Sequence, residues 1–321
     1  MLTHEQLLQA VPNALENVDL TGFGQKFTGK VRDMYAHNGS RILITTDRVS
    51  AFDVVLGTIP FKGQALNQLS AWWFERTKDI VPNHVLSVPD ENVTVAREAQ
   101  PLPVEVIVRG FITGVTKTSL WSLYDSGMRE AYGIKLPDGL QKNDALPFPI
   151  ITPTTKAKAG GHDERLTRTE ILERGLVSLE IWEQVERVAV ALFKRGQEIA
   201  RVAGLVLVDT KYEFGLIDGQ LVLIDEIHTP DSSRYWTLKS VELDARNPKN
   251  FDKEFLREWF VERGYKGDGT PPIMPPEFVA QVAARYIAAF EKLTGLEFKP
   301  GALPANTRIQ KNLEQLRSGR I

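Results

Sequence analysis

A chain of 321 residues is long enough for two lobes, and 42% hydrophobic with 25% charged residues describes an ordinary globular composition. Its formal net charge of −2 and pI near 6.3 offer no global attraction to nucleic acid or to an anionic membrane. There are no cysteines, which excludes disulfides, cysteine metal ligands and thiol nucleophiles, and fits a reducing, cytoplasmic setting. No apolar run approaches the roughly 18 residues that a membrane-spanning helix needs.

In chain order, HEQLLQAVPNAL has helical spacing until Pro12 interrupts it. FTGKVRDMYAHNGSRILITTD reads as strands around an Asn38-Gly39 turn. Gln64 to Lys78 has apolar residues at helical spacing, and the strand-like VLSV and VTVA follow. Pro101 and Pro103 mark a stiff connection, which divides the chain into lobes at 1–100 and 101–321. VEVIVRGF is a β-branched strand. Residues 133–165, rich in Gly, Pro, Thr and Lys, read as a long irregular segment. Thr169 to Ala203 is helical, with Thr167 or Thr169 as cap, and LVLVDTKYEFGLIDGQLVLIDEI is a hairpin about Asp218-Gly219. Helices near 252–264, 276–294 and 307–317 complete an α+β pattern, with strands early and helices late.

Several stretches bear chemistry. Gly29, Lys30 and Arg32 combine close backbone approach with two cations expected on one strand face, which suits a polyphosphate, although alone the pattern more often describes a solvated face. Asp47 to Asp53 (DRVSAFD) bunches polar groups, Asp47 and Ser50 among them, at a strand end, as binding loops and ordinary turns both do. Arg109 ends an apolar strand, so its guanidinium is either paired, with Glu105, or facing a cleft. Asp209, Lys211 and Glu213 share one strand face. A two-residue turn would pair Glu213 with Ile224 and put Asp225 on the other face. A three-residue loop would pair Glu213 with Asp225, two opposed carboxylates that call for a cation, and spacing alone favours Lys211 slightly over Mg²⁺. The following HTPDSSR, with Asp231, Ser233 and Arg234, adds donors and moves the reading toward a site for a phosphorylated, hydroxylated ligand. The histidines His4, His37, His84 and His162 have no metal spacing, no nucleophile elbow is present, and Trp72-Trp73 reads as core.

LVDTKYEFG and DEIHTPDSSRYW, supported by GKVRDMY, TTDRVSAFD, IPFKGQALNQLSAWWF, PVEVIVRGFITG, GIKLPDGL and TPTTKAKAGGHDE, closely resemble the SAICAR synthetase (phosphoribosylaminoimidazole-succinocarboxamide synthase) family over about residues 25–240. The resemblance implies a two-lobed fold related to ATP-grasp enzymes, with antiparallel sheets and a helical C-terminal part. It implies ATP- and Mg²⁺-dependent joining of L-aspartate to carboxyaminoimidazole ribotide (CAIR). By that resemblance Gly29, Lys30 and Arg32 lie over the ATP phosphates, Glu213 and Asp225 are the Mg²⁺-associated acids, and Lys211 sits beside them. Arg109 and Arg234 grip the ribotide phosphate, and Asp231 and Ser233 help hold the ribotide. Asp47 and Ser50 lie near the carboxylate and aspartate sites, and Lys156 neutralises the transferred phosphoryl group, with His162 and Asp163 as neighbours. The chain departs from the family at Val115, where a serine is usual; Thr116, Thr118 or Ser119 is a substitute, or Arg109 and Arg234 suffice.

Overall fold

The computed structural model describes residues 2–37, 39–52, 54–114, 119–156 and 163–317. Helix α1 (His4–Ala10) starts at Thr3, whose side chain and that of Gln6 satisfy each other's backbone amides, and Pro12 turns it into a single 3₁₀ turn. Strands β1 (Gln25–Thr28), β2 (Arg32–His37) and β3 (Ser40–Thr45) form a meander, and β4 (Arg48–Ala51) with β5 (Val54–Thr58) a separate hairpin. Helix α2 (Lys62–Thr77) leads to β6 (Val85–Asp90) and β7 (Val93–Arg97), which complete an antiparallel sheet of order β1-β2-β3-β7-β6.

Strand β8 (Gln100–Phe111) begins where the sequence suggested a linker, and Pro101 and Pro103 lie inside it. They are accommodated because a neighbouring strand, β11, pairs with β8 only from Val104 onward. On the other side the register slips between Glu213 and Gly215, and prolines are tolerated at such bulges. After α3 (Leu120–Asp125) and the short pair β9 (Glu130–Ala131) and β10 (Ile134–Lys135) comes β11 (Ala145–Thr155). The segment 133–165 is therefore not irregular throughout. Pro147, Pro149 and Pro153 concealed an edge strand, a position that does not require every backbone donor.

Thr167 caps α4 (Arg168–Glu173) reciprocally with Glu170, and α5 (Leu179–Val202) follows as a separate helix. The hairpin strands β12 (Leu205–Ile217) and β13 (Gln220–Ile224) and the strand β14 (Ser233–Thr237) complete the second sheet, of order β11-β8-β12-β13. Strand β14 pairs with the first half of β12, which β13 does not reach. Helices α6 (Leu238–Leu243), α7 (Glu254–Glu262), α8 (Pro276–Thr294) and α9 (Ala305–Arg317) end the chain.

The main core packs α2, α5 and α8 against the second sheet. A smaller core under the first sheet joins Leu15, Tyr35, Ile44 and Val93 to Ile309 and Leu313, so α9 returns to the N-terminal part. The two sheets meet where Leu223 N–H donates to Pro82 O (2.9 Å) and His84 N–H to Leu223 O (3.2 Å). No helix among the described residues is long and apolar enough to cross a membrane.

Helix α5 presents Trp182, Val185, Ala189, Leu192, Phe193 and Gly196 to the core at helical spacing. At Gly196 a Cβ would stand 2.5 Å from His228 Cε1 and 2.7 Å from Leu207 Cδ2. Gly196→Ala is therefore expected to destabilise the fold by about 1–3 kcal/mol, read from the urea midpoint. An unchanged midpoint would contradict this packing.

Candidate functional site

The hairpin takes the two-residue turn. Glu213 pairs with Ile224 and Ile217 with Gln220, and both Asp218 (φ +53°) and Gly219 (φ +78°) are left-handed, as a tight hairpin turn requires. The opposed Glu213–Asp225 pairing does not occur. Asp225 nonetheless reaches the same charged cluster, because β13 ends at Ile224 and Asp225 itself adopts φ +68°. That left-handed residue breaks the strand alternation and redirects the carboxylate toward Arg32, with which it forms an ion pair.

Around this turn the charges interlock. Lys211 Nζ lies 2.8 Å from both Glu105 Oε1 and Glu213 Oε1, and Lys156 binds the other oxygen of Glu213. Burial raises the Glu213 pKa, but Lys211 and Lys156 outweigh it and bring the value to about 2. Asp225 moves the other way, to about 6: burial raises it, Arg32 opposes, and Glu213 and Glu226 add to the rise. Arg32 also meets Glu226 at 3.4 Å; burial works against its charge, yet Asp225 and Glu226 hold it above the ordinary arginine range. Gly29 and Lys30 are in the β1–β2 turn, where Gly29 N–H donates to Arg32 O (2.8 Å) and Arg48 donates to the carbonyls of both. Lys30 is thus at a hairpin tip, and strand alternation does not put it on one face with Arg32.

A second cluster follows from register. Asp209 on β12 stands opposite Arg109 on β8 and Arg234 on β14, one row across three strands. Its Oδ2 accepts from Arg109 Nη1 (3.1 Å) and Arg234 Nη1 (2.8 Å), while Arg109 Nε donates to Thr152 Oγ1 (2.9 Å). Glu105, the other partner considered for Arg109, is taken by Lys211. Ser233 Oγ lies 2.7 Å from Thr210 Oγ1. These groups line a cleft of about 190 Å³, which Lys211, Asp231, Lys253 and Arg257 also line.

Asp231 is deeply buried and its oxygens are engaged, with Lys62 Nζ at 2.9 Å, Tyr286 Oη donating at 2.7 Å and Lys253 Nζ at 3.8 Å. Burial raises its pKa, but Lys253 and Lys62 outweigh this and hold it well below the usual carboxylate range. Neither Asp47 nor Ser50 lines this cleft. Asp47 accepts backbone N–H groups from Leu15 and Gly63, each at 2.8 Å, and burial pushes its pKa up to about 6. It pins the start of α2. Ser50 is half-buried on β4, opposite Val55. His228, the histidine of HTPDSSR, is a core group: its Nε2 lies 2.5 Å from Tyr212 Oη, its ring meets Trp73 edge-on, and burial lowers its pKa to about 3.

Val115, Thr116, Thr118, Asp53 and His162 lie outside the described residues; Ser119 caps α3 by accepting from Ser122 N–H. Sequence reasoning missed Lys62, Lys253, Arg257 and Tyr286. All four lie on or at the ends of helices whose apolar spacing reads as packing, and only the buried lysine in Pro60-Phe61-Lys62-Gly63 departs from it. Among the described residues no group of three or more acids or histidines has metal-binding geometry.

The family model described as SAICAR synthetase matches residues 25–272. A protein of Agrobacterium fabrum named putative phosphoribosylaminoimidazole-succinocarboxamide synthase 2 is 50% identical over 296 residues, covering 90% of this chain and 93% of that one. The phosphoribosylaminoimidazole-succinocarboxamide synthase of Legionella pneumophila (strain Lens) is 49% identical over 302 residues, covering 91% and 95%. The structure of SAICAR synthase from Saccharomyces cerevisiae complexed with SAICAR superposes with a TM-score of 0.79 at 31% identity, over 89% of this chain and 100% of that one. The lysine–acid cluster and the two-arginine cleft thus occur on a chain that belongs to the SAICAR synthetase family.

Proposed function

We infer that the chain catalyses ATP-dependent ligation of L-aspartate to the carboxylate of CAIR, giving SAICAR, ADP and phosphate in de novo purine biosynthesis. The observation that carries this reading is that β12 joins two clusters: its Asp209 centres the row with Arg109 and Arg234, and its Lys211 and Glu213, two and four residues further on, form the lysine–acid cluster. A cysteine-free composition fits a cytoplasmic enzyme of this kind.

A carboxylate does not acylate an amine directly, because the leaving group would be oxide. Transfer of the γ-phosphoryl group to a CAIR carboxylate oxygen yields ADP and an acyl phosphate. The aspartate amine then attacks the acyl carbon, the C–N bond forms, the C–O bond breaks, phosphate leaves and the amine loses its proton. Such transfer needs positioning and charge neutralisation more than covalent help. Gly29 and Lys30 at the β1–β2 tip, with Arg32, are suited to the ATP phosphates. Lys211 and Lys156, both on Glu213, are suited to neutralise the group in transit. Arg109 and Arg234, with Ser233 nearby, hold the ribotide phosphate as planar forks. Asp231 acts through its neighbours, fixing the loop between β13 and β14 to α2 and α8.

The donors fit Mg²⁺. This ion is commonly held by one or two carboxylates plus substrate phosphates. Asp225 is a half-buried acid whose charge Glu213 and Glu226 disfavour, a repulsion that a cation would relieve. Glu213 and Asp225 would hold the ion, which supplies charge neutralisation at the phosphates.

In a coupled ADP-release assay with each substrate omitted in turn, release is expected to require both CAIR and aspartate. ADP formed without aspartate would instead favour a small-molecule kinase on this scaffold, and ATP binding without turnover a nucleotide-binding protein. Glu213→Gln is expected to lower kcat by on the order of 10²–10³ while preserving cooperative unfolding; wild-type turnover would remove Glu213 from the phosphate site. The pH dependence follows from Asp225. Its carboxyl pKa is raised to about 6, so below that pH it carries a proton and holds no cation. At limiting Mg²⁺, turnover should therefore fall as pH drops through about 6, and excess Mg²⁺ should move the fall lower. A flat profile across that range, or one insensitive to Mg²⁺, would contradict the assignment.

A further inference from the structure

The assignments above leave L-aspartate without a receptor. It brings two carboxylates that must meet cations in the cleft, and Asp47, near which the sequence placed it, has given its oxygens to backbone amides. Most cations of the cleft wall are matched at close range: Arg109 and Arg234 by Asp209, and Lys211 by Glu105 and Glu213.

Lys253 is different. Its side chain is 14% exposed, and among the described residues the acid nearest its Nζ is Asp231, at 3.8 Å. That carboxylate is already held by Lys62 at 2.9 Å and by the Tyr286 hydroxyl at 2.7 Å. Burial lowers the Lys253 pKa, and Arg257 and Lys62 lower it further against the pull of Asp231. A desolvated ammonium without an acid at hydrogen-bonding distance is costly, and an anion in the cleft offsets that cost. One turn along α7, Arg257 lines the same cleft and meets Glu254 through Nη1 at 3.0 Å. The rest of its fork suits the planar, two-point recognition of a carboxylate.

We propose that Lys253 and Arg257, at the start of α7, form the subsite that binds a carboxylate of L-aspartate, on a wall of the cleft separate from the sheet that carries Arg109 and Arg234. The proposal rests on the ligase reading. It divides the cleft's anion receptors, with the paired arginines of the sheet taking the phosphate and the α7 cations taking the amino acid. It also accounts for Lys62 and Tyr286, which occupy Asp231 and so prevent it from closing on Lys253.

The test is initial-rate kinetics on Lys253→Met, Lys253→Arg and Arg257→Gln, varying ATP, CAIR and aspartate separately. Lys253→Met and Arg257→Gln should raise KM for aspartate about tenfold or more. KM for CAIR and kcat at saturating aspartate should change less than about threefold, and Lys253→Arg should recover most of the loss. Succinate should compete with aspartate in the wild type and lose potency in the same two variants. An unchanged KM for aspartate, or a rise confined to KM for CAIR, would overturn the proposal and assign these cations to the phosphate. Arg257 is 36% exposed, so Arg257→Gln decides the matter if Lys253→Met does not fold. A wild-type enzyme without aspartate-dependent turnover would overturn the ligase reading itself, an outcome seen before any variant is made.

Discussion

Asp209 is the group on which the cleft depends. Three neighbouring strands put Arg109, Asp209 and Arg234 in one row, and two guanidiniums can share a partly buried row only if an anion stands between them. Arg109 is further fixed by Thr152 on β11, so four strands contribute to the proposed phosphate receptor. One carboxylate cannot neutralise two arginines, and the remaining positive charge is what the cleft offers a substrate. Two residues along β12, on the same face, Lys211 lies between Glu105 and Glu213, Lys156 meets the other oxygen of Glu213, and Asp225 and Glu226 share Arg32, four acids to three cations. A positive end and an acid-rich end thus meet along β12, which suits the proposed substrate, with a phosphate at one end and a carboxylate that reacts with ATP at the other.

The acid-rich end is shaped by backbone conformation more than by pairing. Asp225 and His228 both adopt positive φ, which non-glycine residues take up only when their surroundings compensate. The compensation is visible at His228. Its ring is locked between Tyr212 and Trp73, Tyr235 Oη donates to its carbonyl at 2.7 Å, and Gly196 makes room for it. His228 therefore holds the turn that delivers Asp225 to Arg32 on one side and Asp231 to Lys62 on the other. His228 is thus an anchor for the residues on either side of it.

This explains what could and could not be read from the chain. The helices α2, α5 and α8 were legible because their apolar faces repeat at helical spacing, and the charged strand β12 because its charged residues Asp209, Lys211 and Glu213 fall two apart. Strand β11 and the start of β8 were not, because proline argues against a strand unless one knows that the strand is at an edge or a bulge. The two-residue turn was one of two registers open from the residues, and taken alone it points Asp225 away from Glu213. No pattern in the sequence reveals the left-handed Asp225 that reverses this. Arg109, Arg234, Lys211 and Glu213 were recognisable from strand context and family resemblance. Lys62, Lys253 and Tyr286 were not, since their meeting at Asp231 joins three helical regions through long-range contacts. Asp47 was placed near the aspartate site by the family resemblance, whereas its oxygens face inward to backbone donors.

The central claim is that the Arg109–Asp209–Arg234 row is the phosphate receptor and the Lys211–Glu213 end the place of reaction. A crystal structure with SAICAR bound tests it most directly. The account predicts the ribotide phosphate within hydrogen-bonding distance of both Arg109 and Arg234, and the new amide carbonyl toward Lys211. A phosphate bound elsewhere, with both guanidiniums still engaged only by Asp209, would contradict it.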